Sequence, residues 1–231
     1  MTYDLYIGDR VFSSWSLRGW LMFEKFGIPV RTHLVGLYSG TMQADLAPLH
    51  PARLVPAVMT PEGTPLGESL AIAETLAERH PEAGHWPNDP AQRATARWLC
   101  AEMVAGFRAL RNDCPMQLLR VYKDFQPSAE VLDDLARIET LWAHARKLSG
   151  SQGYLFGAYS LADVYYTPVA ARIIGYDLPV SAEARAYCLQ LLADPAVQAW
   201  RNEGLKITYD PEPYRKDLPS QPWPEAALQT A

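Results

Sequence analysis

Phe12-Ser13-Ser14-Trp15-Ser16-Leu17-Arg18 sets three hydroxyls within four residues, between a strand-like start and the first helical rhythm of the chain. A helix N-terminus presents unpaired N–H groups and the positive end of the helix dipole, so it suits an anion, a thiolate included. Serine is also a favoured helix cap. The segment alone therefore leaves two readings open: an anion site, or a cap supplied by Ser13 or Ser14. In Leu54-Val55-Pro56-Ala57-Val58 a proline opens a short apolar run. Only about 5–6% of X–Pro bonds in folded proteins are cis, so a trans proline at a strand edge is the plain reading there. Gly67-Glu68-Ser69-Leu70-Ala71-Ile72 places a carboxylate and a hydroxyl at the head of a helix. They can cap it, the default, or hold an ammonium and a carboxylate respectively. Ser160 and Asp163, in Gly157-Ala158-Tyr159-Ser160-Leu161-Ala162-Asp163-Val164, have capping-box spacing, with Tyr159 and Val164 where a hydrophobic staple closes. That pair is structural.

These segments must be positioned by regular elements. Residues 3–8 read as a strand, and Leu17, Trp20, Leu21 and Phe26 keep helical spacing up to Gly27. Pro29 to Leu34, Pro56 to Met59 and Thr64 to Gly67 read as strands, and Tyr38 to Leu49 as a polar connection or irregular helix. Ser69 to Arg79 is a helix ended by Pro81. The order β-α-β-(α)-β-β-α implies a small mixed sheet whose first two strands are parallel, joined by a right-handed crossover. Residues 81–90 carry three prolines and Gly84, which marks a linker. Beyond it the chain reads as helical. Leu99, Met103, Phe107 and Leu110 form one stripe, and Val131, Leu135, Ile138 and Trp142 another, with acidic residues between them as a solvated face. Five prolines in the last 21 residues and no periodicity there predict an extended tail. The expected organisation is residues 1–80, an 81–90 linker, a helical 91–205 and a tail over 206–231.

Composition narrows the function. The 231 residues are 48% hydrophobic and 20% charged, with a net charge of −5, ordinary for a globular protein of one or two domains. The acidic balance argues against a general nucleic-acid binder. Short apolar runs argue against a membrane span, and an acidic N-terminus against a secretory signal. Cys100, Cys114 and Cys188 are an odd number without CxxC spacing, which gives no disulfide framework or zinc knuckle. A cytoplasmic protein is the expectation. There is no G-x-G-x-x-G, Walker loop, G-x-S-x-G elbow or H-E-x-x-H, and the five histidines are too dispersed for a local metal site. No metal is expected.

In order along the chain come strand–S-S-x-S–helix, V-P-x-V, E-S-L-A-I at a helix start, a linker, and G-x-x-x-S-x-A-D in a helical region. That order resembles the glutathione transferases over roughly residues 3–205. The SSCS-x-R motif of the zeta class appears here as Ser13-Ser14-Trp15-Ser16-Leu17-Arg18, and a bacterial subgroup with SSWSLR and the segment Ala101 to Arg111 is more similar still. The resemblance implies an α/β thioredoxin-like N-terminal domain that binds glutathione and an all-α C-terminal domain that shapes the second-substrate site, commonly in a homodimer.

It also implies roles. A serine of the Ser13/Ser14 pair hydrogen-bonds the glutathione sulfur, with Ser13, which aligns with the first motif serine, the first choice and Ser14 the helix cap. Val55, before a cis Pro56, pairs its backbone with the cysteinyl part. Glu68 and Ser69 hold the γ-glutamyl end, and Arg53 belongs to the same site. Trp15, Met103, Phe107 and Arg111 are expected to form an apolar second-substrate pocket in which Arg111 reaches an anionic group; interhelical core is the competing reading for Met103 and Phe107. Two residues depart from the zeta pattern: Trp15 stands in the cysteine position, and Leu54 replaces a polar residue. The implied activity is conjugation of glutathione, a co-substrate, to a small apolar electrophile. The alternatives are a glutathione-dependent isomerase of the zeta type and a non-catalytic glutathione-fold binding protein. Ser13 and Ser16 stand where a redoxin carries its two cysteines, so disulfide exchange at that spot is excluded.

Overall fold

The computed structural model describes residues 2–224. Strand β1 (Tyr3–Ile7) lies parallel to β2 (Val30–Leu34), with Tyr3 opposite Val30 and Ile7 opposite Leu34. On its other side β1 runs antiparallel to β3 (Ala57–Met59), which pairs with the short β4 (Pro65–Leu66). The sheet order is β2-β1-β3-β4. Alternation decides the faces. Tyr3, Leu5 and Ile7 are buried in the main core with Leu17 and Leu21 of α1 (Ser14–Glu24) and Ile72 and Leu76 of α3 (Ser69–Arg79). On the opposite side Ala57 packs with Val35, Leu46 and Leu49, from the connection that holds α2 (Met42–Asp45) and a 3-10 turn.

The chain then enters helices α4 (Pro90–Ala105), α5 (Arg108–Asp113), α6 (Ala129–Ser149), α7 (Leu161–Gly175), α8 (Ala182–Ala193) and α9 (Pro195–Gly204). Every residue of α7 is buried, and its polar side chains Asp163, Thr167 and Arg172 are all hydrogen-bonded. It packs on α8, α4 and α1, so one continuous core joins the thioredoxin-like and helical parts. At its head Asp163 closes the capping box: Oδ2 accepts from the Ser160 N–H at 2.9 Å and from the Ser160 hydroxyl at 3.0 Å. Oδ1 accepts from the Tyr187 hydroxyl at 2.8 Å and the Leu155 N–H at 3.2 Å.

Two features differ from the sequence reading. The stripe Leu99–Leu110 does not ride on one helix. Gly106 is extended and Phe107 adopts a left-handed conformation with φ 55°, which separates α4 from α5. A Cβ at Gly106 would lie 2.9 Å from the Glu102 carbonyl oxygen, so glycine permits the break. The tail, read as simply extended, is docked. Its β6 (Ser220–Pro222) pairs antiparallel with β5 (Arg120–Tyr122), adding a ribbon to the helical part. The Tyr122 hydroxyl donates to the Tyr214 carbonyl at 2.9 Å and accepts from the Lys216 N–H at 3.1 Å. Residues 225–231 of the expected tail lie outside the described residues.

Candidate active site

Ser13 is the N-cap of α1: its Oγ accepts from the Ser16 N–H at 3.2 Å. The same hydroxyl donates to Ser16 Oγ at 2.8 Å, and Ser16 Oγ also accepts from the Gly8 N–H at 2.8 Å. The capping role expected of Ser14 therefore belongs to Ser13, because S-x-x-S spacing sets Ser13 and Ser16 against each other across one helical turn. Ser14, half-buried, is the first residue of α1 and lies where the dipole field is most positive.

The Val55–Pro56 bond is cis, as is His50–Pro51, which the sequence reading did not single out. Gly19 lets α1 meet this segment directly: a Cβ there would stand 2.5 Å from Pro56 Cβ. Across the groove Glu68 has φ 61° and ψ 122°, a left-handed φ unusual for a glutamate. It occupies the N-cap position of α3, yet its exposed carboxylate makes no capping bond. Holding such a backbone costs on the order of 1–3 kcal/mol, and conformations of this kind cluster at functional sites. Ser69, buried, is the first residue of α3, and its Oγ accepts from the Tyr165 hydroxyl at 3.1 Å.

A cavity of about 220 Å³ brings together Trp15, Leu54, Val55, Pro56, Glu68, Ser69 and Val104. A second, of about 430 Å³, shares Leu54 and Glu68 and is lined by the exposed Arg53. The Trp15 indole is flanked by two guanidiniums, Arg18 at 4.4 Å and Arg111 at 5.2 Å from the ring centroid. Arg18 is buried, donates Nε–H to the Tyr165 carbonyl at 2.9 Å, and leaves Nη2 without a hydrogen-bond partner. Burial, with Arg172 and Arg111 nearby, pushes its pKa down to about 9.

The residues singled out in sequence thus fall into groups. Trp15, Val55, Pro56, Glu68 and Ser69 share one cavity, Arg53 lies on its neighbour, and Arg111 touches Trp15. Ser13 and Ser14 stand on the turn that carries Trp15 but are not in the cavity lining. Met103 and Phe107 are buried in the core and do not line the cavity; Val104, one residue around the helix, does. A rotation of 100° per residue is enough to separate the two faces of α4. Ser16, Arg18 and Tyr165 carried no role in the sequence reading. The S-x-x-S spacing and the lone cation in an apolar helix were signals for the first two. Tyr165, far away in sequence, gave none.

Comparison with known proteins places this geometry. The family model for the N-terminal domain of glutathione S-transferase matches residues 12–79. A maleylacetoacetate isomerase of Pseudomonas aeruginosa is 32% identical over 157 residues, 64% of this chain and 71% of that protein. A probable maleylacetoacetate isomerase of Caenorhabditis elegans is 35% identical over 115 residues, half of this chain and about half of the relative's length (52%). Among solved structures, a glutathione transferase homologue from Burkholderia gl BGR1 with bound glutathione aligns at TM-score 0.65 and 24% identity, covering 90% of this chain and all of that one. Glutathione transferase Omega 2S of Trametes versicolor, in complex with 2,4-dihydroxybenzophenone, aligns at TM-score 0.67 and 22% identity over 88% of this chain and 94% of its own. Family model, relatives and fold agree: the chain belongs to the glutathione S-transferase family and resembles its zeta class.

Proposed function

We propose that the protein joins the thiolate of glutathione to a small apolar electrophile. The observation that carries this reading is the 220 Å³ cavity, in which the first turn of α1, the Val55–Pro56 segment and the head of α3 converge beneath α4. Glu68 receives the γ-glutamyl ammonium and Ser69 its carboxylate, while the Val55 backbone pairs with the cysteinyl unit and Arg53 attracts the glycyl carboxylate. The sulfur then rests near the head of α1. Ser14 donates the hydrogen bond that lowers its pKa, since the Ser13 proton is held by Ser16. Charge-assisted bonds of this kind contribute about 1.5–3 kcal/mol, and helix N-termini favour thiolates. The electrophile approaches over Trp15 and Val104, with Arg111 able to meet an anionic substituent.

The protein works in this reading as a homodimer in the cytoplasm; among the described residues no helix is long and apolar enough to cross a membrane. A second reading, a glutathione-dependent isomerase, is favoured by the Pseudomonas aeruginosa relative. Trp15, with the Arg18 and Arg111 guanidiniums against its ring, crowds the position that cysteine holds in the zeta motif and argues for conjugation. Calorimetric titration with glutathione, followed by parallel assays on a halonitrobenzene and on maleylacetoacetate, tests both. Saturable binding with conjugation is the expected result. Isomerisation without conjugation moves the assignment to the second reading, and absence of binding overturns both.

A further inference from the structure

We infer that Tyr165, a residue of the helical domain, positions the Ser69 hydroxyl for the glutathione site. The inference rests on the reading above that Ser69 holds the γ-glutamyl carboxylate. Tyr165 is fully buried on α7, and its hydroxyl donates to Ser69 Oγ at 3.1 Å across the boundary between the two parts of the fold. A serine hydroxyl has one proton and two lone pairs. With a lone pair taken by the Tyr165 proton, the remaining proton of Ser69 is directed to another acceptor, and Ser69 lines the cavity. A carboxylate placed there completes a chain of two donors, each bond polarising the next.

The phenol is suited to the task. Burial, with Cys100 adding to it, raises the Tyr165 pKa above its ordinary value, so the hydroxyl keeps its proton throughout the neutral range. Its position is fixed from behind: Arg18 of α1 donates to the Tyr165 carbonyl at 2.9 Å, and the guanidinium stands 5.8 Å from the ring centroid. Elements α1, α7 and α3 are thereby linked through one residue, its carbonyl bonded to α1 and its hydroxyl to α3. A tyrosine placed only for packing would leave its hydroxyl with any available acceptor. This one meets the hydroxyl at the head of α3.

The test compares Tyr165→Phe, Ser69→Ala and the double variant, with binding measured by calorimetry and turnover in parallel. Two ligands are used: glutathione, and γ-aminobutyryl-cysteinylglycine, which lacks the γ-glutamyl carboxylate. Loss of one hydrogen bond predicts that Tyr165→Phe weakens glutathione binding by roughly 3- to 10-fold, with the loss falling on KM more than on kcat. The double variant should be no worse than Ser69→Ala alone, because the two residues act through one bond. Neither substitution should affect the carboxylate-free analogue. A ring-fluorinated tyrosine at position 165, a stronger donor of the same shape, should tighten glutathione binding and serves as the variant that keeps the fold. The inference is overturned by equal losses on both ligands, by multiplying effects in the double variant, or by a fluorotyrosine that fails to tighten binding. A silent Tyr165→Phe beside an impaired Ser69→Ala removes the inference and keeps the reading of Ser69. A silent Ser69→Ala removes both.

Discussion

A hydroxyl has one proton to give, and this divides the labour at the head of α1. The Ser13 proton goes to Ser16 while its oxygen caps the helix. Ser13→Ala should therefore lower the unfolding free energy by about 0.5–2 kcal/mol, the usual cost of a lost cap, and leave the apparent thiol pKa of bound glutathione in place. Ser14→Ala should do the reverse, raising that pKa by about one to two units, the equivalent of one charge-assisted bond. Denaturant titration and the pH dependence of thiolate absorbance read the two effects separately. A pKa that rises in Ser13→Ala and not in Ser14→Ala restores the order implied by the zeta alignment. The residue types were legible in the sequence; their assignment was not. It depends on Ser16 and on the Gly8 N–H that also binds it, and only the folded strand–turn–helix brings Gly8 to that hydroxyl.

At the scale of elements, α1 must approach the Val55–Pro56 segment closely enough to form one wall of the cavity, and Gly19 permits this. In an isolated helix Gly→Ala is stabilising by about 1 kcal/mol. Here the added Cβ would meet the rigid Pro56 ring at 2.5 and 2.8 Å. Overpacking of this kind typically costs about 1–3 kcal/mol, so Gly19→Ala should lower the melting temperature and weaken glutathione binding together. A more stable variant with unchanged binding would show that α1 is free to shift. Helix α3 coincides with the span read from the sequence, Ser69 to Arg79, since its apolar spacing and the proline after it are local signals. The break at Gly106–Phe107 was hidden. Leu99, Met103, Phe107 and Leu110 are all buried on the far side of it as on the near side, so the stripe keeps helical spacing across a turn that is not helical.

The whole molecule is held as one body by α7 and by the connection that precedes α4, where His85 joins α1 to α7. Its Nε2 lies 3.0 Å from the Met22 carbonyl of α1, its carbonyl accepts from the Leu161 N–H of α7 at 2.9 Å, and its ring stacks on Phe26 at 4.1 Å. In sequence this histidine read only as part of a Pro-rich linker, because its partners lie more than 50 residues away on both sides. The tail was illegible for the same reason: β6 finds β5 across some 100 residues, and no periodicity announces such a pairing. The His85 ring is buried and its Nδ1 has no hydrogen-bond partner. Burial lowers its pKa below 6.5, the nearby His80 adds to the lowering, and the bond to Met22 opposes it. The folded protein therefore resists protonation that the unfolded chain accepts. Stability is intact above pH 6.5 and is lost as pH falls through the depressed folded value, at no more than about 1.4 kcal/mol per pH unit for this one proton. His85→Gln keeps a donor for Met22 and cannot titrate. Urea unfolding between pH 5 and 8 should show the wild type losing stability on the acid side of 6.5 and the variant following a flatter curve. Parallel curves would place the acid sensitivity elsewhere. The same scan read through tryptophan fluorescence and through glutathione binding should move together, because the His85 ring bonds α1 and its carbonyl bonds α7.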